Sequence, residues 1–325
     1  MKRILQISIG SKVFGGVEKF LYEIYKKIDK QKIQFDFLSP NITSYGLYAD
    51  EIKKMGGNII ELKIDRAGLK GKILYNKKLY EFLKSNEYDI VHINSGAFFF
   101  CLQVAFICKI CKVKRIIVHS HNNIKMSNLK KTVKNLLKPM LNFLADDCLA
   151  CSNSAANALF LHRKVKNGKV KIINNGIETD IFKFNEKIRE EYRKNLNLED
   201  KIVYGHVGRF DREKNHYFLI KVFNEICKVQ KNAILMLIGE GKLENDVKKM
   251  VEELELNDKV YFLGVRKDVN NIMTAMDCFI FPSLYEGLGI VAIEAQTSRL
   301  NYFQFWGSSN WCKDNWKILQ IKYQW

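Results

Sequence analysis

Short apolar runs alternate along the chain with stretches in which apolar residues recur every three or four positions. The first run, Ile4–Ile9, interrupted by Gln6 and Ser8, predicts a strand. After the loop 10–16, the residues Val17, Phe20, Leu21, Ile24, Tyr25 and Ile28 form one apolar stripe, which predicts a helix. Further strands are predicted at Gln34–Leu38, Asn58–Glu61, Ile90–Asn94, Arg115–His119 and Lys169–Ile173. A second series follows the charged stretch Glu186–Lys201, with strands at Ile202–Val207, Ile234–Ile238, Val260–Phe262 and Cys278–Phe281 and helices between them. Strands alternating with helices build a parallel sheet with crossover helices, so the chain reads as α/β with two tandem Rossmann-like domains. The first covers 1–180, a linker 181–200, and the second 201–297.

The last 28 residues, 298–325, break this pattern. All four Trp (Trp306, Trp311, Trp316 and Trp325) lie there, and neither a helical nor a strand period is recognised beyond Thr297. The break resembles a change of reading frame. With AGG for Arg299 and CTT for Leu300, reading one nucleotide later encodes Gly-Leu ahead of a plausible strand. The expectation is an incomplete second domain, an aberrant tail, and strand Cys278–Phe281 left without a neighbour, exposing apolar surface and a sheet edge.

Composition narrows the class. At 325 residues, 47% apolar and only 3 Pro, the chain can bury a large core. Ile4–Ile9 is too short for a signal-peptide core or a membrane span, and Gly96–Cys108 also falls short. With no export signal recognised, eight Cys read as free thiols in a reducing compartment, hence a cytoplasmic protein. The net charge of +18 is concentrated early: residues 1–150 hold 26 basic and 13 acidic side chains, against 27 and 22 in 151–325. Between Asp89 and Asp146 there is no acidic residue, but there are nine basic ones. Such a field attracts phosphate-bearing partners, while a Lys-rich solvated surface gives the same count. No nucleic-acid module or aromatic stacking pattern accompanies it, so nucleic acid is not the expected partner. Residues Ile124–Leu144 interleave Met126, Leu129, Val133, Leu136, Leu137, Met140 and Leu141 with five lysines. That pattern suits either an anionic membrane surface or an ordinary helix packed on its sheet.

Three segments carry candidate chemistry, and two further groups of residues imitate a metal site. Gly15-Gly16-Val17-Glu18 sits where the first strand gives way to the first helix, a place for an anion or simply for a tight turn. Gly208-Arg209 with Lys214 follows the strand Ile202–Val207. Basic side chains there, at the carboxyl end of a strand, suit a diphosphate, and a solvated cluster is the alternative. Pro282-Ser283-Leu284-Tyr285-Glu286-Gly287-Leu288-Gly289 leads into Ile290–Glu294. Two carboxylates, Glu286 and Glu294, thereby flank two glycines at a strand-to-helix turn. Cys108-x2-Cys111 and Cys148-x2-Cys151 imitate a zinc ribbon, but the first pair lies on an apolar helical pattern and the second ends a strand. His119 and His121 share a strand face without an obvious third metal ligand, which favours core or substrate-positioning roles.

Together with Val118-His119-Ser120-His121, Asn175-Gly176-Ile177-Glu178, Gly239-Glu240-Gly241 and Phe262-Leu263-Gly264 with Arg266, these segments resemble glycosyltransferase family 4 over residues 1–297, particularly its bacterial capsule and exopolysaccharide members. The resemblance implies a GT-B fold, two Rossmann-like domains facing a cleft, and retaining transfer of a hexose from a UDP- or GDP-sugar to a glycan or lipid-linked glycan. It implies Arg209 and Lys214 on the donor diphosphate, Glu286 near the donor sugar, Glu294 on the ribose and Arg266 beside the base. Gly15, Gly16, Gly239, Gly287, Leu288 and Gly289 would line the donor, and His121, with His119 as the alternative, would be the acceptor-domain histidine. No Asp-x-Asp occurs, so neither a metal held by that motif nor another cofactor is expected, and Arg209 with Lys214 would neutralise the departing diphosphate. Membrane contact at the inner face of the plasma membrane is the peripheral location expected for a lipid-linked acceptor. The alternatives are a truncated, non-catalytic remnant that binds nucleotide only and, more remotely, a basic nucleic-acid-binding protein.

Overall fold

The computed structural model describes all residues except 9–14, 41–44, 65–67, 122–126, 175, 177, 285–288, 306–317 and 322–325. The chain divides into two compact units, Met1–Gly176 and Ile177–Trp325.

The first unit runs β1 (Lys2–Ser8), α1 (Gly16–Lys27), β2 (Ile33–Ser39), α2 (Ala49–Lys54), β3 (Asn58–Glu61), α3 (Gly68–Ser85), β4 (Ile90–Asn94), α4 (Phe98–Ile110), β5 (Arg115–Ser120), α5 (Asn128–Leu144), β6 (Asp147–Ala150), α6 (Asn153–Leu159), α7 (His162–Lys166) and β7 (Val170–Ile172). Its described strands form one sheet in the order β3-β2-β1-β4-β5-β6-β7. Every pairing is parallel, for example Ile4 opposite Phe35 on one side of β1 and Ile90 on the other. Strands buried on both faces need continuous apolar runs, which is why Ile90–Asn94 and Arg115–Ser120 read so clearly. Alternation sends Leu5, Ile7, Val91, Ile93, Ile116 and Val118 into one core with Tyr75, Leu79, Phe98, Val104 and Leu141 of the helices α3–α5. Phe35 and Phe37 join Phe20, Leu21 and Tyr25 of α1 in a second cluster. Fully burying such a side chain contributes about 1.5–3 kcal/mol.

The second unit contains α8 (Glu186–Asn195), β8 (Ile202–Val207), α9 (His216–Val229), β9 (Ala233–Ile238), α10 (Glu244–Glu253), β10 (Val260–Phe262), α11 (Val269–Ala275), β11 (Cys278–Phe281), α12 (Ile290–Thr297), β12 (Asn301–Phe305) and β13 (Ile318–Ile321). The sheet order is β10-β9-β8-β11-β12-β13. Along β9, Leu235 and Leu237 pack with Leu219, Ile220 and Phe223 of α9. On the opposite face Ile234, Met236 and Ile238 pack with Ile272 and Met273 of α11 and Ala295 of α12.

Two expectations are corrected. The stretch Glu186–Lys201, read as a linker from its charge, is integral to the second unit, and the division falls earlier, at Gly176. Its helix is anchored by two arginines. Arg189 donates to Asp277 at 2.5 Å and Arg193 at 3.1 Å, and Asp277 also accepts the Val203 N–H at 2.7 Å. Strand β11 is not an edge: β12 pairs with it in parallel, Cys278 opposite Asn301 through Phe281 opposite Gln304, and β13 follows antiparallel. Asn301-Tyr302-Phe303-Gln304-Phe305 is rich in aromatic residues that favour strands, though it follows no glycine turn. The turn is made instead by Arg299, whose φ of +59° lies in the left-handed region.

Helix α5 also departs from the packed-helix pattern. It turns Leu141 and Leu144 inward with Lys134, which is only 9% exposed, and projects Leu129 (77%), Leu136 (79%) and Phe143 (81%) into solvent with Val133 and Met140. Ile124 and Met126 of the sequence reading lie outside the described residues. Among the described residues no helix is long and apolar enough to cross a membrane.

Candidate active site

In each sheet the strand order reverses beside the first strand of its series, between β1 and β4 and between β8 and β11. In open α/β sheets, ligands bind outside the carboxyl ends of the strands at such a switch point.

In the second unit the switch point is formed by the loops after β8 and β11, and backbone bonds hold the first of these on two sides. Toward β9, the Gly208 N–H donates to Ile238 O (2.9 Å), the Phe210 N–H to Glu240 O (3.1 Å), and the Leu243 N–H to Phe210 O (3.0 Å). Glycine is required for this approach: a Cβ on Gly239, at φ +133°, would fall 2.3 Å from Gly208 O, and one on Gly241 2.4 Å from Phe210 O. Toward β11, the Leu284 N–H donates to Glu213 O (2.8 Å) and Asn215 Nδ2 to Pro282 O (3.3 Å). The loop so fixed presents Arg209 and Lys214. The Nε of Arg209 is buried without a hydrogen-bond partner. Lys214 Nζ lies 5.8 Å from the centroid of Phe281. The same Phe281 ring faces Gly289, which at φ +51° precedes α12, so Lys214 and the start of α12 meet on one side chain. Glu294, five residues after Gly289, is buried within α12 at 4% exposure.

Behind this loop Phe210 stacks on His216 at 4.0 Å, and His206 meets His216 edge-on at 5.0 Å. Burial, then Lys214, pushes His216 down to about 3, and burial holds His206 well below the usual histidine range, so neither adds charge at neutral pH. Asp211 is raised by burial and then by Glu213, although the Lys214 N–H donates to it at 3.2 Å. Arg266 makes a two-pronged pair with Asp268 (2.8 and 2.7 Å), and Asp268 also accepts the Tyr192 hydroxyl at 2.8 Å. Glu286, Gly287 and Leu288 lie outside the described residues.

In the first unit Gly15 is the N-cap of α1 and Gly16 its first residue. Phe20 of that helix packs edge-on against His119 (5.7 Å) and His121 (5.5 Å). His119 stacks on His92 of β4 (5.5 Å, 9°) and leans on His121 (4.0 Å). Burial favours the uncharged form of all three imidazoles. Burial and His119 push His92 down to about 3, burial pushes His119 to about 4, and burial with the two neighbours holds His121 well below the usual range. Asn94, at the end of β4, faces His121 Nε2 at 3.1 Å, and Cys151 Sγ donates to His121 O at 3.1 Å. Among the described residues no three His, Cys, Asp or Glu side chains form a metal-binding group.

Sequence reasoning missed His92, Asn94 and Gln6. Polar residues inside apolar strands were the available signal, since Gln6 and Asn94 are each 1% exposed.

Two α/β units, each built on a mostly parallel sheet with its own switch point, match the GT-B fold of glycosyltransferases. The chain belongs to Glycosyltransferase Family 4, whose model matches residues 14–181, and the model for Glycosyl transferases group 1 matches residues 188–302. The EpsF protein of Bacillus subtilis is 29% identical over 307 residues, covering 92% of this chain and 78% of that protein. The UDP-Gal:alpha-D-GlcNAc-diphosphoundecaprenol alpha-1,3-galactosyltransferase of Escherichia coli is 28% identical over 230 residues, covering 68% of this chain and 59% of that enzyme. The crystal structure of Anabaena Alr3699/HepE in complex with UDP-glucose superposes with a TM-score of 0.72 at 20% identity, over 94% of this chain and 80% of that one.

Proposed function

We propose that this chain transfers a hexose, with retention, from a nucleoside-diphosphate sugar to a glycan or lipid-linked glycan in bacterial surface polysaccharide assembly. The carrying observation is the basic loop at the β8/β11 switch point, with Arg209 and Lys214 on backbone already bonded on both sides. Support for the donor comes from the UDP-glucose in the Anabaena structure, and for the acceptor from the Escherichia coli enzyme, whose name specifies a diphosphoundecaprenol-linked sugar. In this reading Arg209 and Lys214 stabilise the charge that builds on the diphosphate as the sugar–oxygen bond breaks. A donor phosphate oxygen takes the proton of the attacking hydroxyl on the same face, so no protein nucleophile intervenes. Glu294 holds the ribose, Arg266 stands beside the base, and Glu286 with Gly287, Leu288 and Gly289 meets the donor sugar and phosphates. His121 serves the acceptor side.

The outward stripe of α5, with Lys130 and Lys131 exposed on the same helix, is the surface we assign to an anionic bilayer at the cytoplasmic face. We propose as well that residues 298–325 are read in a shifted frame. The left-handed backbone at Arg299, where the neighbouring frame encodes glycine if the Arg299 codon is AGG, supports this.

A hydrolysis and transfer panel of UDP- and GDP-sugars tests the function. Arg209→Ala and Lys214→Ala are each expected to lower turnover of the active donor by two to three orders of magnitude, about 2.7–4 kcal/mol. Unchanged turnover removes them from the site, and UDP binding without turnover of any donor identifies a nucleotide-binding remnant.

A further inference from the structure

Asn94 cannot present either end of its amide to His121 indifferently. Its Nδ2 lies 3.0 Å from Gln6 Oε1 and 3.0 Å from the main-chain oxygen of His92. A carbonyl oxygen only accepts, so the atom facing His92 O must be the NH2 group, and the atom 3.1 Å from His121 Nε2 must be Oδ1. Oδ1 also only accepts, so His121 Nε2 carries the hydrogen. Buried and neutral, the ring then has its lone pair on Nδ1. That atom is buried without a partner, in a residue only 7% exposed, and neither nitrogen of neighbouring His119 bonds it. The other ring face is fixed by His119 and the edge by Phe20, while Cys151 holds the main chain.

We propose that Gln6 and Asn94 form a two-amide relay from β1 through β4 that holds His121 in the Nε2–H form, so that its Nδ1 accepts a hydrogen bond from a sugar hydroxyl at the acceptor side and cannot donate one. Asn94 is thus a positioning residue acting through His121. The relay joins the two strands at the switch point of the first sheet, so the ring is oriented by the sheet itself and not by a loop. The assignment of a sugar hydroxyl as the partner rests on the functional reading above; the tautomer does not.

Long-range 1H–15N correlation spectra of the 15N-labelled full chain, with His121 assigned by its loss in His121→Gln, read the tautomer without any substrate. Wild type is expected to show Nε2 protonated and Nδ1 bare. Asn94→Leu, which removes the acceptor at similar volume, is expected to give Nδ1–H or a mixture. Asn94→Asp restores an acceptor, retains Nε2–H and raises the His121 titration by at least about one pH unit. The His92 and His119 signals serve to show that the sheet is intact in each variant. An Nδ1–H ring in wild type, or a tautomer unmoved by Asn94→Leu in an intact sheet, overturns the relay. With the donor found active in the panel, Asn94→Leu is expected to lower kcat at least about 10-fold without changing the donor KM. It is expected to cause no further loss in His121→Gln. Full activity of His121→Gln would instead refute the acceptor-side role of the histidine while leaving the tautomer result standing.

Discussion

Replacing Asp277 with Ala is expected to loosen the second unit at the point where α8 meets the sheet. Three donors converge on this carboxylate: Arg189, Arg193 and the Val203 N–H. The side chains of Arg189 and Arg193 are 19% and 11% exposed and that of Asp277 27%, so solvent screens the cluster only in part. Hydrogen bonds to charged groups contribute about 1.5–3 kcal/mol each, and stranding a buried partner costs about 3–5 kcal/mol. Two features reduce the loss. Arg189 keeps Thr274 O and Met276 O, Arg193 keeps Ala275 O, Leu198 O and Lys201 O, and the carboxylate is partly hydrated. The expected net loss is about 2–3 kcal/mol, or roughly 30- to 150-fold in the opening equilibrium. Hydrogen exchange read by mass spectrometry on the full chain checks this. Protection in α8, β8 and β11 is expected to fall by that factor while β1 and β4 are unchanged. A fall of less than about threefold in α8 and β8 would show that the carbonyl partners alone hold the arginines and that the carboxylate is not the anchor.

Arg299→Gly, which relieves a left-handed non-glycine residue, is expected to stabilise the second unit by about 1 kcal/mol in urea unfolding; no gain would mean that the turn is unstrained. Asp268 is lowered to about 2, first by its bond to Arg266, with burial opposing. Because its folded value lies below its unfolded one, its contribution is present above the unfolded value and is lost as pH falls from 3.8 toward 2. Asp268→Asn is therefore expected to flatten that part of the pH–stability curve, and a curve superposable on wild type would contradict the pairing. Changing Leu129, Leu136 and Phe143 together to Ser is expected to lower binding to phosphatidylserine-containing vesicles at least about 10-fold, more than charge reversal at Lys130 and Lys131 does at 0.15 M salt, since charges near a membrane are screened. Equal binding by the triple variant would assign the α5 stripe another role.

The strands Asn58–Glu61, Ile90–Asn94, Ile202–Val207, Val260–Phe262 and Cys278–Phe281 coincide with the apolar runs that predict them; the central ones are covered on both faces, and the edge strands Asn58–Glu61 and Val260–Phe262 still present apolar residues to the sheet's helices. Helix α8 was not legible. Its exterior is charged throughout, and the two residues that dock it are arginines whose partner, Asp277, lies 88 and 84 positions away. Strand β12 was hidden for a different reason: Asn301 and Gln304 interrupt its apolar run, and the turn ahead of it uses Arg299 where glycine marks most such bends. At the candidate site, the glycines and the basic pair were visible because close backbone approach and anion binding demand particular residue types. The histidine stack and the amide relay were not, since they join β1, β4 and β5 through side chains up to 88 positions apart.

The glycine-cradled loop after β8 separates path from payload. Its course is set by main-chain atoms of Gly208, Phe210 and Glu213 bonding to the neighbouring loops, and its path depends on the missing Cβ atoms of Gly239 and Gly241 rather than on the side chains at 209, 212 or 214. The proposed roles of Arg209 and Lys214 therefore rest on side chains that can be changed without rerouting the backbone that carries them. Substitutions at 209 and 214 are thus expected to silence the site while leaving the loop in place, whereas a side chain added at 239 or 241 would displace the loop itself.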